Sequence, residues 1–367
     1  MRIKTGALLL AALTAACALL IFPVQAAQGA KNGIGYCLEV LVPSLYPFMV
    51  LSVFIVKSGL SRKISGIFEG PTQKLFRLPG SAAPTVLMSL IGGYPAGARS
   101  VASLYEDGEI SQKQAERMLG FCVNAGPSFV ITAVGAGFLK SPQAGAILFA
   151  AQGIVFLLLG IGSGLTAKRE APKLGGKRAK AYGASQALIT SAADAAHSTI
   201  NMCCFVILFA ALMNLIRMGC SDPARSAALS ALLEVTGGCS DLARLGVPPW
   251  VFSAAIGWGG ICVHFQVLST LTELKINKAR FVLSRFFQAV LSAAVSWGLM
   301  LLFPETEAVF CSFAGPVSGA LSAAPPAAAA LLVLCSALLL SIPRKGMEIA
   351  EKGCYNESII NRKTGGI

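Results

Sequence analysis

Little in this chain suits bond-making chemistry. Its 367 residues include two histidines, His197 and His264, and no HExxH, GxSxG or P-loop pattern that would assemble a metal site, a nucleophile or a phosphate cradle. The eleven cysteines stand singly apart from Cys203-Cys204. Without CxxC spacing they read as small buried apolar residues, not as zinc ligands or a redox pair. No enzyme, cofactor or metal is expected. The side chains that remain are suited to holding a solute.

The first group is Gly93, Tyr94, Pro95, Gly97 and Arg99, the sequence GYPAGAR inside an apolar run from about 82 to 104. Glycine and proline open a helix, and in hydrocarbon an opened backbone is tolerable only when buried in protein or lining a wet cavity. Arg99 fits that second use, because intramembrane charge usually faces a polar pathway. The alternative is a glycine-rich helix packed on a neighbour, with Arg99 snorkelling to the interface. Asn124-Ala-Gly-Pro-Ser128 interrupts a later run, and Asn124 either meets a ligand or is satisfied by a neighbouring helix.

Glu234 and Thr236 precede the pair Gly237-Gly238, placing a carboxylate and a hydroxyl where they could hold a polar ligand or a coupling ion. The plainer reading is a surface acid before a turn. Gly259 and Gly260 open another run, and His264 and Gln266 just beyond could exchange hydrogen bonds with a ligand, carry a proton or pack between helices. Tyr94 and Trp258 could stack on a flat ring, although aromatics also mark membrane interfaces. Asp194 and His197, one helical turn apart, read as an interfacial pair.

The elements that position these residues are membrane helices. The chain is 55% hydrophobic and 13% charged with mean hydropathy +0.69, against roughly a quarter charged in soluble domains. Apolar runs fall near 6–27, 37–56, 82–104, 118–139, 144–167, 198–216, 250–272, 281–303 and 324–342, each of about the length a bilayer needs. The net charge of +13 sits in loops beside these runs, where it sets topology and meets anionic lipid; nucleic acid is not an expected partner. The first run resembles a secretory signal at Val24-Gln-Ala-Ala27 but is expected to stay as an uncleaved helix.

The expected organisation is an N-terminal helix over 1–28, a first repeat over 29–167, a basic linker over 168–190, a second repeat over 191–303, a C-terminal helix region over 304–342 and a polar tail over 343–367. Pro43 and Pro47 kink the second run, and Ser111 caps the helix entering the membrane at Met118. The basic loop 57–80 and the linker's basic stretch 168–180 belong on one side by their charge, yet three apolar runs lie between them. One run must turn back, and 82–104 is the natural candidate. If the broken run 250–272 also turns back, Arg344-Lys345 falls on the side opposite the linker; if only the first does, the charge rule holds and the repeats differ.

The halves resemble each other at an offset of 165 residues, which aligns Glu69 with Glu234, Ile91-Gly92 with Ile256-Gly257, and the stretch after Gly93 with that after Trp258. Interrupted segments in corresponding positions of two halves point to a transporter site near the bilayer midplane.

The runs VPSLYPF (42–48), LPG (78–80), GYPAGAR (93–99), Asn124 to Pro127, LEVTG (233–237) and GWGG (257–260) resemble those of YlbJ-type sporulation integral membrane proteins of the nucleoside-recognition, or Gate, domain family. The resemblance spans most of residues 30–303. It implies an all-α polytopic fold of inverted repeats with re-entrant helices, similar to concentrative nucleoside transporters, in the cell membrane or outer forespore membrane of an endospore former. It also implies transport of a small anion, dipicolinate above all, into the forespore. A nucleoside carrier and a nontransporting assembly factor are the alternatives. Thr236-Gly-Gly238 departs from a Thr-Asn-Gly type run, which bears on substrate identity more than on fold. A dianion would suit Arg99 and the helix N-termini at Gly93–Gly97 and Gly257–Gly260, with Glu234 ordering the second half-site or coupling an ion.

Overall fold

The computed structural model describes residues 13–14, 16–60, 66–167, 182–271 and 274–303, and every regular element among them is helical. The basic stretch 168–180, the expected C-terminal helix 324–342 and the tail 343–367 lie outside the described residues. Among the described residues, five helical stretches are long and apolar enough to cross a membrane: α1 (Pro23–Lys57), α7 (Pro142–Leu165), α8 (Ala184–Arg217), the bent Pro249–Thr270 and α13 (Lys278–Leu302). The chain is a multi-pass membrane protein.

Helix α1 runs unbroken through the boundary expected at residue 28. A π-helical stretch, Tyr36–Leu41, precedes Pro43 and Pro47, widening the helix just ahead of the prolines that lack N–H donors. Antiparallel α8 lies along it. Gly29 and Gly33 set the approach, since a Cβ at Gly29 would stand 2.7 Å from the Ala210 carbonyl oxygen, the small-residue packing on which membrane helices rely. Asn214 adds a hydrogen bond to the Gln25 carbonyl at 2.7 Å.

Contacts at helix ends define two faces. On the basic face, the Tyr182 N–H donates to the Lys57 carbonyl at 3.0 Å, and Arg77 donates to the carbonyls of Leu165 (3.2 Å) and Ala167 (2.8 Å). Arg117 donates to the carbonyls of Arg77 (2.9 Å) and Ser163 (3.2 Å), and Gln112 to that of Lys275 (2.7 Å). The basic loop and both ends of the linker thus share one side, as the charge rule requires. The far face holds the start of α1, the end of α8 and the Arg217–Asp241 ion pair.

After the short helix α2 (Glu69–Leu75), the segment 80–106 enters from the basic face as α3 (Ala83–Ile91), reverses at Gly92-Gly93 and returns as α4 (Tyr94–Glu106). Its two arms pack together, with a Cβ at Gly97 falling 3.2 Å from Ser89 Cβ, and Ser81 before the first arm and Asp107 and Glu109 after the second line a cavity with Lys57 and Tyr182. The run 82–104 is therefore a re-entrant hairpin. Gly93 takes φ +80, a backbone state that a side chain would strain.

Next comes a crossing in two pieces. Helix α5 (Gln112–Leu119) starts at a capping box of Ser111 and Gln114, residues 120–127 are largely irregular, and π-helical α6 (Ser128–Phe138) continues to the far side. The interruption expected at Asn124–Ser128 breaks the helix outright. Helix α7 returns antiparallel to α6, glycine on glycine at Gly135 and Gly145.

The second half follows the same order from the opposite face. Helices α9 (Pro223–Leu233) and α10 (Val235–Arg244) form a hairpin with its tip at Glu234; its open end lies at the far face, where Asp241 pairs with Arg217. Helices α11 (Pro249–Trp258) and α12 (Gly260–Thr270) form a crossing broken at Gly259-Gly260, both at positive φ, and α13 leaves the basic face beside them.

The 165-residue offset is corrected by this order. It pairs the hairpin tip at Gly93 with the broken crossing at Trp258, whereas the structural counterpart of Gly93 is Glu234. Glu69 is exposed at the start of α2, unlike buried Glu234. Of the two runs matched by that offset, only 82–104 turns back; 250–272 crosses.

Candidate functional site

Four interruptions meet inside the protein, because each leaves backbone that another element must satisfy. The first hairpin leans on the first broken crossing: a Cβ on Gly126 would stand 2.9 Å from the Ile91 carbonyl oxygen, and one on Gly97 would overlap that of Cys122. The second hairpin leans on the second crossing in the same way, with Gly260 against the Leu233 carbonyl oxygen and the Glu234 backbone at 3.0–3.1 Å. Tyr94 joins the halves. Its hydroxyl donates to the Ile256 carbonyl at 2.5 Å, and its ring is 3.5 Å from where a Gly259 Cβ would sit.

Two voids border this junction and share Met49 and Pro95. The larger, about 420 Å³, lies between α1, the first hairpin and α8, with Arg99, Thr85, Ser52, Ser100 and Lys57 in its wall. That volume is in the range of small-molecule sites. The smaller, about 40 Å³, reaches Tyr94, Gly126, Glu234, Thr236 and Gln266.

Arg99 has no ion-pair or hydrogen-bond partner among the described residues, and its side chain is exposed at the larger void. No side chain caps the N-terminus of α4, where Gly93, Tyr94 and Pro95 stand. An uncapped N-terminus beside a cation favours an anion. Glu234 is placed differently. It is 4% exposed, and its two oxygens accept the N–H groups of Thr236 (2.7 Å) and Gly237 (2.6 Å), so it closes the N-terminus of α10 and fixes the hairpin tip.

Other expected residues scatter around the junction. Gln266 reaches the smaller void, with its amide 3.3 Å from Cys262 Sγ. His264 faces away, its Nδ1 2.6 Å from the Gly260 carbonyl oxygen and its ring between Trp258 (4.4 Å) and Phe281 (5.4 Å). Trp258 donates to the Leu232 carbonyl at 3.0 Å; it and Tyr94 each bind backbone at a break and do not form a stacking platform. Asp194 pairs with Lys57 at 2.8 Å, not with His197, which is exposed.

Asn124 belongs to a buried polar network that was not anticipated. Its amide donates to the Phe121 carbonyl (2.5 Å), and its oxygen accepts from Gln288 (2.6 Å). Gln288 also approaches Gln152 at 3.4 Å, Ser292 donates to Gln152 at 3.2 Å, and Gln152 donates to the Ser253 carbonyl at 3.0 Å. Arg285, 1% exposed, donates to the carbonyls of Val123 and Gly120, which the irregular stretch after α5 leaves open. The signal for this network was Arg285, Gln288, Ser292 and Ser296, spaced three, four and four residues apart within an apolar run, a polar stripe on one helix face.

No family model matches the chain, and no solved structure matches it. It is 26% identical over 312 residues to the sporulation integral membrane protein YlbJ of Bacillus subtilis (strain 168), an alignment covering 74% of this chain and 76% of that protein. The comparison agrees with the membrane architecture described above.

Proposed function

We propose that this chain, a YlbJ-type sporulation integral membrane protein, is a carrier for a small organic anion, with dipicolinate moved into the forespore as the leading substrate. The observation that carries the reading is Arg99: a cation without a protein partner among the described residues, facing a void of about 420 Å³ beside the uncapped start of a re-entrant helix. Arginine meets a carboxylate through two parallel N–H donors, and Ala96, in the uncapped first turn of α4, brings a backbone N–H to the same wall. Hairpins entering from opposite faces with their tips together are the arrangement expected of a site reached alternately from either side. Glu234 serves this site by holding the second tip rigid.

A neutral nucleoside is the second reading, favoured by Thr236 and Gln266 beside the smaller void. Uptake of labelled dipicolinate into proteoliposomes holding the purified protein, with a labelled nucleoside as control, tests both. Saturable dipicolinate uptake that is lost with Arg99→Ala supports the anion carrier. Nucleoside uptake alone overturns the substrate, and no flux of either from folded protein favours the nontransporting assembly factor.

A further inference from the structure

The larger void presents two cations in different states. Arg99 stands without a partner among the described residues, whereas Lys57, in the last turn of α1, is held. Its Nζ lies 2.8 Å from Asp194 Oδ2 and 3.5 Å from the Thr190 carbonyl oxygen, and 5.8 Å from the centroid of the Tyr182 ring. Lys57, Tyr182 and Asp194 line the void together with Arg99. The Lys57 and Asp194 side chains are 22% and 47% exposed; a pair this wet adds little to stability, so the ammonium can exchange one carboxylate for another at small cost.

We propose that Lys57 is the second anion-binding arm of this void, taking one carboxylate of a dicarboxylate while Arg99 takes the other, and that Asp194 holds the arm when the site is empty. The proposal rests on the anion-carrier reading and narrows it, since an acid with one carboxylate would engage Arg99 and leave the Lys57–Asp194 pair closed. The remaining charged groups in the wall are Asp107 and Glu109. Asp107 follows α4, eight residues beyond Arg99, roughly 12 Å at the helical rise. These acids stand where α4 ends, on the face where Lys57 ends α1, so the Lys57 ammonium is the cation of the wall that offsets their charge at that end.

The test is equilibrium binding to the full chain in detergent, using pyridine-2,6-dicarboxylate and pyridine-2-carboxylate as probes. The expected results are tighter binding of the diacid by wild type, and a loss of about tenfold or more for the diacid alone in Lys57→Gln, the scale of a charge-assisted contact. Asp194→Asn, which frees the ammonium, is expected to tighten the diacid. Unchanged melting temperatures verify that both variants fold. If Arg99→Ala abolishes binding while Lys57→Gln weakens neither acid, or both equally, the role of Lys57 is overturned and the anion site stands. Absence of binding by wild type, or binding indifferent to Arg99→Ala, overturns the site and this inference with it.

Discussion

Arg77 donates to the Ala167 carbonyl at 2.8 Å across ninety residues of sequence, tying the end of the basic loop to the end of α7. This bond places both ends of the intervening chain on one face, and the return of α4 to the cavity shared by Ser81 and Lys57 makes the first hairpin the element that does not cross.

The resulting topology predicts labelling by a membrane-impermeant maleimide. In a cysteine-free background, single cysteines at Gly66, Glu109 and Lys275 are expected to react from one side, and native Cys220 and a cysteine at Gly246 from the other. Sealed vesicles of known orientation provide the measurement. Reaction of the Glu109 and Gly66 positions from opposite sides would remove the hairpin.

Glycine substitutions should separate tip contacts from ordinary helix positions. A methyl at Gly97 would meet the Cys122 carbonyl, which belongs to backbone and cannot rotate aside. Gly97→Ala is expected to lower stability by about 1–3 kcal/mol or more through overpacking. Gly298, in α13, has nothing within 4 Å of the added methyl, and Gly298→Ala should gain up to about 1 kcal/mol from helix propensity. Thermal unfolding in detergent reads both, and equal shifts in the same direction would contradict the contact at the first tip.

The interruptions were legible in the sequence because glycine and proline in an apolar run have few uses, and Gly93, Gly259 and Gly260 do take positive φ. What each interruption becomes was not legible. A hairpin tip and a bend in a crossing need the same residues, and they differ only in where the following helix goes, which distant pairs such as Arg77 with Ala167 decide. That is why Gly93 aligned with Trp258 instead of Glu234. Gln152 escaped for a related reason: it is a single amide in a long apolar helix, and its meaning appears only when α7 and α13 bring it to 3.4 Å from Gln288, a member of the polar stripe on α13.

Arg285 and Arg99 make opposite predictions from the same residue type. Arg285 holds the carbonyls of Val123 and Gly120 in the interior, so Arg285→Leu leaves buried acceptors unmet and should cost about 2–5 kcal/mol. Arg99 meets no protein group among the described residues, so Arg99→Ala should change stability by no more than about 0.5 kcal/mol while abolishing anion binding. Melting temperature and binding measured on both variants check the contrast; an Arg285→Leu protein as stable as wild type would deny the interior arginine its structural role.

Glu234 offers the sharpest division between holding a tip and coupling an ion. Both of its oxygens accept backbone N–H groups at the start of α10, so Glu234→Ala should destabilise by about 1–2 kcal/mol, the scale of a lost N-cap. Glu234→Gln removes the charge and turns an amide NH₂ toward one of the two N–H donors, so it too should destabilise, although its side chain is the same size. If the carboxylate serves only the tip, flux in either variant falls with the folded fraction and its dependence on external sodium or protons stays that of wild type. A changed ion dependence in Glu234→Gln, at matched amounts of folded protein, would instead assign the carboxylate to coupling. Proteoliposome uptake across sodium and proton gradients, normalised to folded protein, separates the two.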